Sequence, residues 1–480
     1  MKALQYVRII FMILAIISIS FIIPIGTAVY ENEIYLIPSF LIPAAFIFAI
    51  AACFFFFLRN KKVKLSISGG IILVAAAWVS AGILGALPLC ISGIIPNFAD
   101  ALFESVSGFT TTGATILTDI EACPITMHVW RTEMHWLGGM GIVALTVALF
   151  PLLGVGGFHL IKSETTGPDK GKVTAKITHT AKALWFIYLG MTIVQIILLM
   201  LAGLSFIEAM CHTFASLGTG GFSTRNASVG GFNSPAVEII CGIFMILAGV
   251  NFSLYFHLFT GNPEEFFHNS ELKAYLKIVF VSTVLIALSI YPIYGIGGGL
   301  RQSFFQVASV ITTTGFSTAD YNSWPEFAKM VLFFLMFVGG CSGSTAGSIK
   351  VIRWLILQKQ AGMEAKRLLS PHGVFGIQLN NRPGRKDIVY SVAGFMFCYF
   401  LLTLITALVA AADGADLLSG FTASLALIGN IGPGFGRVGP AGNFAFFSSP
   451  VKIFFSFVML AGRLELYTMI IYFMPAFWKR

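Results

Sequence analysis

Long apolar runs recur along the whole chain, separated by short polar stretches, and this alternation sets the expected secondary structure. A helix that crosses a bilayer needs about 20 mostly apolar residues. Ten stretches meet that length, at residues 7–29, 35–58, 69–93, 127–153, 180–204, 236–258, 275–296, 326–348, 388–411 and 451–477. Four shorter segments with helical apolar spacing lie between them, at 97–109, 205–214, 300–310 and 416–427. None of the four is long enough to cross. The first span follows Lys2 and Arg8 as a signal peptide would. Its apolar run is long, no clean cleavage site follows, and the second span comes at once, so it reads as a retained helix. The pattern predicts an all-α integral membrane protein in contact with the lipid bilayer.

Composition agrees, since 57% of positions are apolar and 11% are charged, against roughly 25% charged in an ordinary soluble domain. The formal charge of +9 raises the question of nucleic acid. The bases sit in short clusters between apolar runs rather than on one basic and aromatic face, so no nucleic-acid partner is expected. The seven cysteines are odd in number, contain no CxxC pair and fall mostly in apolar stretches. No disulfide frame or zinc site follows. Lys and Arg beside the span ends orient the chain. They gather at Arg59 to Lys64, at Lys162 to Lys182, at Arg353 to Lys386 and at Lys479 and Arg480. That side is expected to be cytoplasmic and to hold both termini, whereas Glu31, Glu33, Asp119, Glu121, Asp320, Asp413 and Asp416 lie on the other.

Each short segment leads into a stretch that repeats: Ser107-Gly-Phe-Thr-Thr-Thr-Gly-Ala-Thr115, Ala215-Ser-Leu-Gly-Thr-Gly-Gly-Phe-Ser-Thr224, Ser309-Val-Ile-Thr-Thr-Thr-Gly-Phe-Ser-Thr318 and Ala426-Leu-Ile-Gly-Asn-Ile-Gly-Pro-Gly-Phe-Gly436. They align on Gly113, Gly221, Gly315 and Gly432, about a hundred residues apart. Non-helical backbone at membrane depth leaves polar groups unpaired, at about several kcal/mol each, unless it is buried in protein or lines a wet cavity. Four converging Gly- and Thr-rich tails offer carbonyl and hydroxyl oxygens that can replace the water around a monovalent cation. The short helices would aim their negative C-terminal ends at the same point. A ring without carboxylates suits a large, weakly hydrated ion, and potassium is the natural candidate.

With these residues in view, the sequence resembles the superfamily of bacterial Trk and Ktr and plant HKT potassium transporters, from span three to the C-terminus. The runs Gly138-Gly-Met-Gly141 and Gly339 to Gly347 add to the likeness. Two extra helices ahead of the first repeat place it nearest the TrkH branch. The resemblance implies four pseudo-symmetric M1–P–M2 repeats around one pore. Residues 1–66 would hold two N-terminal helices, and 67–178, 179–272, 273–386 and 387–480 the repeats, the third with a broken second helix and a cytoplasmic segment. It implies a K+ filter at Thr110, Thr111, Thr112, Gly113; Gly218, Thr219, Gly220, Gly221; Thr312, Thr313, Thr314, Gly315; and Gly429, Asn430, Ile431, Gly432. Glycine in all four loops goes with potassium in this family, while the share of the Thr-free fourth loop stays open. Also implied are a bacterial inner-membrane location, a homodimer and a cytosolic nucleotide-binding ring of the TrkA type. K+ is cargo, no organic cofactor is expected, and the protein is not an enzyme.

Residues Gly339, Gly340, Cys341, Ser342, Gly343, Ser344, Thr345, Ala346 and Gly347 cannot form a stable lipid-facing helix. The stretch ends at Lys350 but lacks the GxxxxGK[ST] spacing of a phosphate loop. The resemblance makes it an intramembrane gating loop, with Lys350 beside it and Arg463 contacting it from the pore side. Packing or snorkelling is the rival role for Arg463. Arg463 and Glu465 fall in the middle of the last span and, two residues apart on a helix, would not face each other. His128, His135 and Glu133 lack the HExxH pattern and read as structural. Glu104 and Glu208 either brace the filter or face the outer vestibule. The rival functions are a secondary transporter of another small solute, whose paired broken helices would be inverted, and a Na+-coupled or Na+-permeable cation transporter. An intramembrane hydrolase lacks a nucleophile and base pair.

Overall fold

The computed structural model describes residues 2–58, 67–141, 177–370, 376, 378–379, 382–383 and 386–478. The basic loops at 59–64 and 162–176 and the end of the span expected at 127–153 lie outside the described residues. Two helices, α1 (Lys2–Ser20) and α2 (Ile22–Tyr30), form the first span with a break at Phe21, and α3 (Ile37–Leu58) forms the second. Repeat one follows as α4 (Ile67–Ile91), the short α5 (Phe98–Phe109) and α6 (Ile125–Gly139). Repeat two comprises α7 (Ile177–Leu201), the short α8 (Phe206–Leu217), α9 (Pro235–Ala248) and α10 (Phe252–Phe259). After a small helix α11 (Pro263–Phe267), the continuous α12 (Ser270–Ile311) joins the first span of repeat three to its short helix. Gly295 (φ 69°, ψ −177°) breaks the helical path inside α12, so one element does two jobs. Then come α13 (Glu326–Leu335), a loop, α14 (Val351–Leu369) and a two-residue pairing of β1 (Gln378–Leu379) with β2 (Arg382–Pro383). Repeat four is α15 (Lys386–Ala412), the short α16 (Leu417–Ile428), α17 (Ser449–Arg463) and α18 (Leu466–Ile470), and α19 (Pro475–Trp478) ends the described chain.

The short helices start where polar side chains cap them. Asn97 accepts the Ala99 N–H at 2.9 Å, Ser205 that of Glu208 at 3.3 Å and Asp416 that of Ser419 at 3.1 Å. Such caps are worth about 1 kcal/mol each. Each of α5, α8 and α16 packs against both long helices of its own repeat. In addition α8 packs on α6 of the repeat before it, and α5 packs on α17 of the last repeat. That last contact closes the four repeats into a ring, with α1, α2 and α3 outside repeat one.

The structure departs from the ten unbroken spans in a consistent way. Six described helices are long and apolar enough to cross, and α9 with α10 makes a seventh that is bent by 89°. The span expected at 236–258 is thus two helices, parted at Gly249-Val250-Asn251 because Asn251 caps a new helix through the Ser253 N–H. The last span is also broken, at Leu464 and Glu465, where Glu465 takes φ 60°. Arg463 therefore ends a helix instead of lying in the middle of one, and Glu465 directly precedes the next. The second short helix runs three residues beyond Phe214, to Leu217. Among the described residues, interruption of the second helix, expected only in repeat three, occurs in repeats two, three and four, and the second helix of repeat one ends at Gly139.

Candidate functional site

All four short helices end alike. Thr111, Thr219, Thr313 and Asn430 take left-handed angles, with φ 55°, 56°, 55° and 51°. Their N–H groups bond to the Gly108, Ser216, Val310 and Leu427 carbonyls, and the N–H groups of Thr112, Gly220, Thr314 and Ile431 to Ser107, Ala215, Ser309 and Ala426 at 2.8–2.9 Å. This is the paired-bond ending usually made with glycine. Threonine, branched at Cβ, is strained there by on the order of 1–3 kcal/mol. Three loops accept that strain at one equivalent position, which marks a constraint beyond chain reversal.

Two residues on, Gly113, Gly221, Gly315 and Gly432 also have positive φ, between 77° and 95°. A methyl group on Gly113 would strike the Gly220 carbonyl oxygen, one on Gly221 that of Thr314, one on Gly315 that of Ile431, and one on Gly432 that of Thr112. These contacts run from loop one to two, three, four and back to one. Carbonyls from equivalent positions of all four loops therefore stand in one closed ring. Loops one and three add matched hydroxyl pairs, Thr110 with Thr112 and Thr312 with Thr314, each at 2.8 Å. Thr219 donates to the Gly218 carbonyl at 2.7 Å, whereas Asn430 turns its amide to Thr112 and to the Met459 carbonyl. The fourth loop thus contributes backbone at the ring and braces it with its side chain.

The two glutamates left open by the sequence have different places. Glu104 is fully buried and accepts bonds from Arg131 at 2.7 Å, Thr115 at 2.9 Å and the Ile116 N–H at 2.9 Å. Glu208 is partly exposed and paired with Arg225 at 2.6 Å. Nearby, the Asn226 amide donates to Asp119 and holds that exposed carboxyl below its ordinary range. His128, His135 and Glu133 do not converge. His128 meets the Ile120 carbonyl, and His135 stacks on Phe222 with ring centres 4.3 Å apart. Among the described residues no group of three His, Cys, Asp or Glu side chains is placed to hold a metal. Arg131 is not marked by any spacing motif; it is one of several polar residues, with His128, Glu133 and His135, in the same helix.

Beneath the ring, residues 339–347 cross the molecule as a loop and solve the problem of broken helices at membrane depth. The Cys341 N–H bonds to the Gly249 carbonyl at 2.8 Å, Thr345 to Ala248 at 3.1 Å, and the Phe252 N–H to the Gly343 carbonyl at 3.1 Å. The loop's backbone thereby fills the break in repeat two. Its ends pair through Gly339 N–H to the Ile349 carbonyl and Val351 N–H to that of Gly340. On its upper side the Gly347 N–H bonds to Thr313 Oγ1 at 2.6 Å, and the Ser348 N–H to the Gly429 carbonyl at 2.9 Å. Glu271 accepts the N–H groups of Ser342 in the loop and of Ile352 in the first turn of α14, at 2.7 and 3.1 Å. Lys350 donates to the Ala346 carbonyl. Arg463 donates to the carbonyls of Thr345 at 2.7 Å, Gly138 at 2.7 Å and Gly139 at 3.0 Å, tying repeat four to repeats three and one. Glu465 pairs with Arg353 of α14 at 2.8 Å.

Comparison with known proteins gives the same answer along nearly the whole chain. The model of the TrkH family, described as a cation transport protein, matches residues 37–480. The Trk system potassium uptake protein TrkH of Escherichia coli K12 is 39% identical over 428 residues, 88% of each chain. That of Vibrio parahaemolyticus is 36% identical across 100% of each chain, and TrkG of Escherichia coli K12 is 34% identical across 96% of each. The crystal structure of the potassium transporter TrkH from Vibrio parahaemolyticus matches with TM-score 0.87 at 34% identity over 100% of both chains. A multi-pass helical membrane protein built from four such repeats, this chain belongs to the TrkH family of cation transport proteins.

Proposed function

We propose that this protein takes up potassium through the ring of loop carbonyls, that the 339–347 loop beneath it is the gate, and that the fold sits in a bacterial inner membrane with both termini inside. The observation that carries the reading is the closed circuit of glycines, each abutting the next loop's carbonyl oxygen. A dehydrated monovalent cation is held by such a ring of neutral oxygens. Four short helices bring roughly half a negative charge each to its edge. The relatives named as potassium uptake proteins support K+ as the cargo. Their description as parts of a system accords with a homodimer working under a cytosolic nucleotide-binding ring, which would act on the basic inner face that includes Lys366 and Arg367 of α14.

Radioactive rubidium uptake into proteoliposomes tests this. Uptake suppressed by external potassium, with no organic solute and no sodium gradient required, is the expected result. A strict need for sodium or for an organic co-substrate would replace the reading with a coupled transporter.

Glu271 gives a second test, aimed at the gate. Glu271→Ala removes two bonds to a charged acceptor, about 1.5–3 kcal/mol each, one from within the loop and one from the helix that follows it. Resting rubidium flux without the ring is expected to rise by about tenfold or more, since about 1.4 kcal/mol shifts a population ratio tenfold. Flux equal to that of the unaltered protein would separate Glu271 from gating.

A further inference from the structure

We infer that the buried Glu104–Arg131 pair is a positioning device that fixes loop one against loop two of the ring, and through that spacing sets discrimination among monovalent cations. This rests on the ring acting as the ion filter. Among the ion pairs of the described residues, only this one has both members at 1% exposure or less. Arg131 Nε and Nη2 both bond to Glu104 Oε1, at 2.9 and 2.7 Å, and Nη2 also reaches Thr115 Oγ1 at 3.2 Å. Glu104 in turn accepts from Thr115 Oγ1 and the Ile116 N–H. The limb of loop one that leaves Gly113 is therefore fastened at two consecutive residues. On its other side the Arg131 guanidinium lies 4.1 Å from the ring centre of Phe222, the residue after Gly221 of loop two. One side chain touches the outgoing limbs of two adjacent loops.

The other loops show what this pair replaces. Loops two and three carry Phe222 and Phe316 directly after their glycines, and loop four carries Phe435 three residues after Gly432, all buried. His135 stacks on the first at 4.3 Å, His212 on the second at 5.7 Å and Tyr321 meets the third edge-on at 5.1 Å. Loop one has Ala114 directly after Gly113 and no aromatic residue in the five that follow its glycine, leaving nothing for a neighbouring ring to wedge, and the ion pair anchors it instead. Stability does not account for the choice. A buried ion pair seldom stabilises more than apolar residues of similar volume. What it adds is direction, because a guanidinium in fixed contact with a carboxylate tolerates little displacement. The number and spacing of ring oxygens govern which ion fits, so loosening loop one alters selectivity before it ends conduction.

Rubidium uptake by the full-length protein in liposomes, competed with potassium or sodium, tests the inference. The unaltered protein must first show inhibition by potassium and not by sodium; if it does not, the filter reading itself fails and takes this inference with it. Two variants follow: Glu104→Gln, and the double change Glu104→Leu with Arg131→Met, which supplies an apolar pair of similar bulk. The double variant keeps the bulk of the pair but leaves the Ile116 N–H without its acceptor, so its thermal stability is measured alongside, and in both variants the sodium concentration that halves uptake should fall at least about tenfold relative to that of potassium. A merely structural pair would let the apolar substitute restore discrimination together with stability, and that result overturns the inference. Phe222→Leu, which leaves the ion pair intact but removes both the guanidinium contact and the His135 stack on loop two, should shift the ratio in the same direction by less. Should the other variants fail to fold, unchanged discrimination in Phe222→Leu overturns the inference by itself.

Discussion

Gly315→Ala is expected to lower rubidium uptake by about 30-fold or more while the protein still inserts and folds. Gly315 has φ 83°, and an added methyl would overlap the Ile431 carbonyl oxygen and approach Pro433 within 2.7 Å. Left-handed geometry costs an alanine about 1–2 kcal/mol. Overpacking against backbone adds about 1–3 kcal/mol. The strain can be relieved only by moving loop four outward, and the carbonyl that moves is one of the four in the ring. At about 1.4 kcal/mol per factor of ten in rate, the sum corresponds to a loss of about 30-fold to several thousand-fold. The equivalent changes at Gly113, Gly221 and Gly432 should do the same, because each meets the next loop in the same manner. Gly190→Ala in α7 is the control: no atom lies within 4 Å of the added carbon, so uptake should not change. Normal potassium uptake by a folded Gly315→Ala protein would show that the four loops do not form the ion path.

How much of this was legible in the sequence follows from what kind of contact each feature depends on. The four loops announce themselves because Gly-and-Thr tails after short helices are local patterns, and local geometry decides them: the same left-handed residue and the same two capping bonds recur at Thr111, Thr219, Thr313 and Asn430. The caps at Asn97, Ser205 and Asp416 are local too, and the boundaries of the short helices were accordingly close. The break between α9 and α10 was not apparent in an apolar run that reads as one span. Its local signal is Gly249 two residues before a capping Asn251, but what makes the break tenable is the loop of repeat three, about ninety residues away, whose backbone satisfies the freed groups. The end of α17 at Arg463 is of the same kind. A charged side chain in an apolar run signals a need for partners; that three carbonyls from two other repeats supply them is a matter of ring closure. Arg131 and Glu271 stayed hidden for that reason, since their partners come from other helices and no spacing within α6 or α12 encodes them.

Those same long-range partners make Arg463 the residue whose loss should change the resting state most. Its guanidinium holds the Thr345 carbonyl of the loop and the Gly138 and Gly139 carbonyls of α6, so repeats one, three and four meet on one side chain. Bonds from a charged donor are worth about 1.5–3 kcal/mol each. On the proposed gating role of the loop, only the share that is lost when the loop withdraws acts on opening, and the bond to Thr345 belongs to that share. The positive charge adds to it, since a cation beneath the ring opposes the approach of another through a medium of lower dielectric than water. Arg463→Ala removes both effects and is expected to raise rubidium flux in the absence of the cytosolic ring by about 10–100-fold, the amount that about 1.5–3 kcal/mol produces in a two-state population. Arg463→Lys keeps the charge without the planar fork that reaches several carbonyls, so its flux should fall between the two. Currents across planar bilayers provide the measurement, because opening that is freed from the partner shows as conductance without added nucleotide or ring protein. If the alanine variant conducts no more than the unaltered protein under those conditions, Arg463 braces the fold and does not hold the gate.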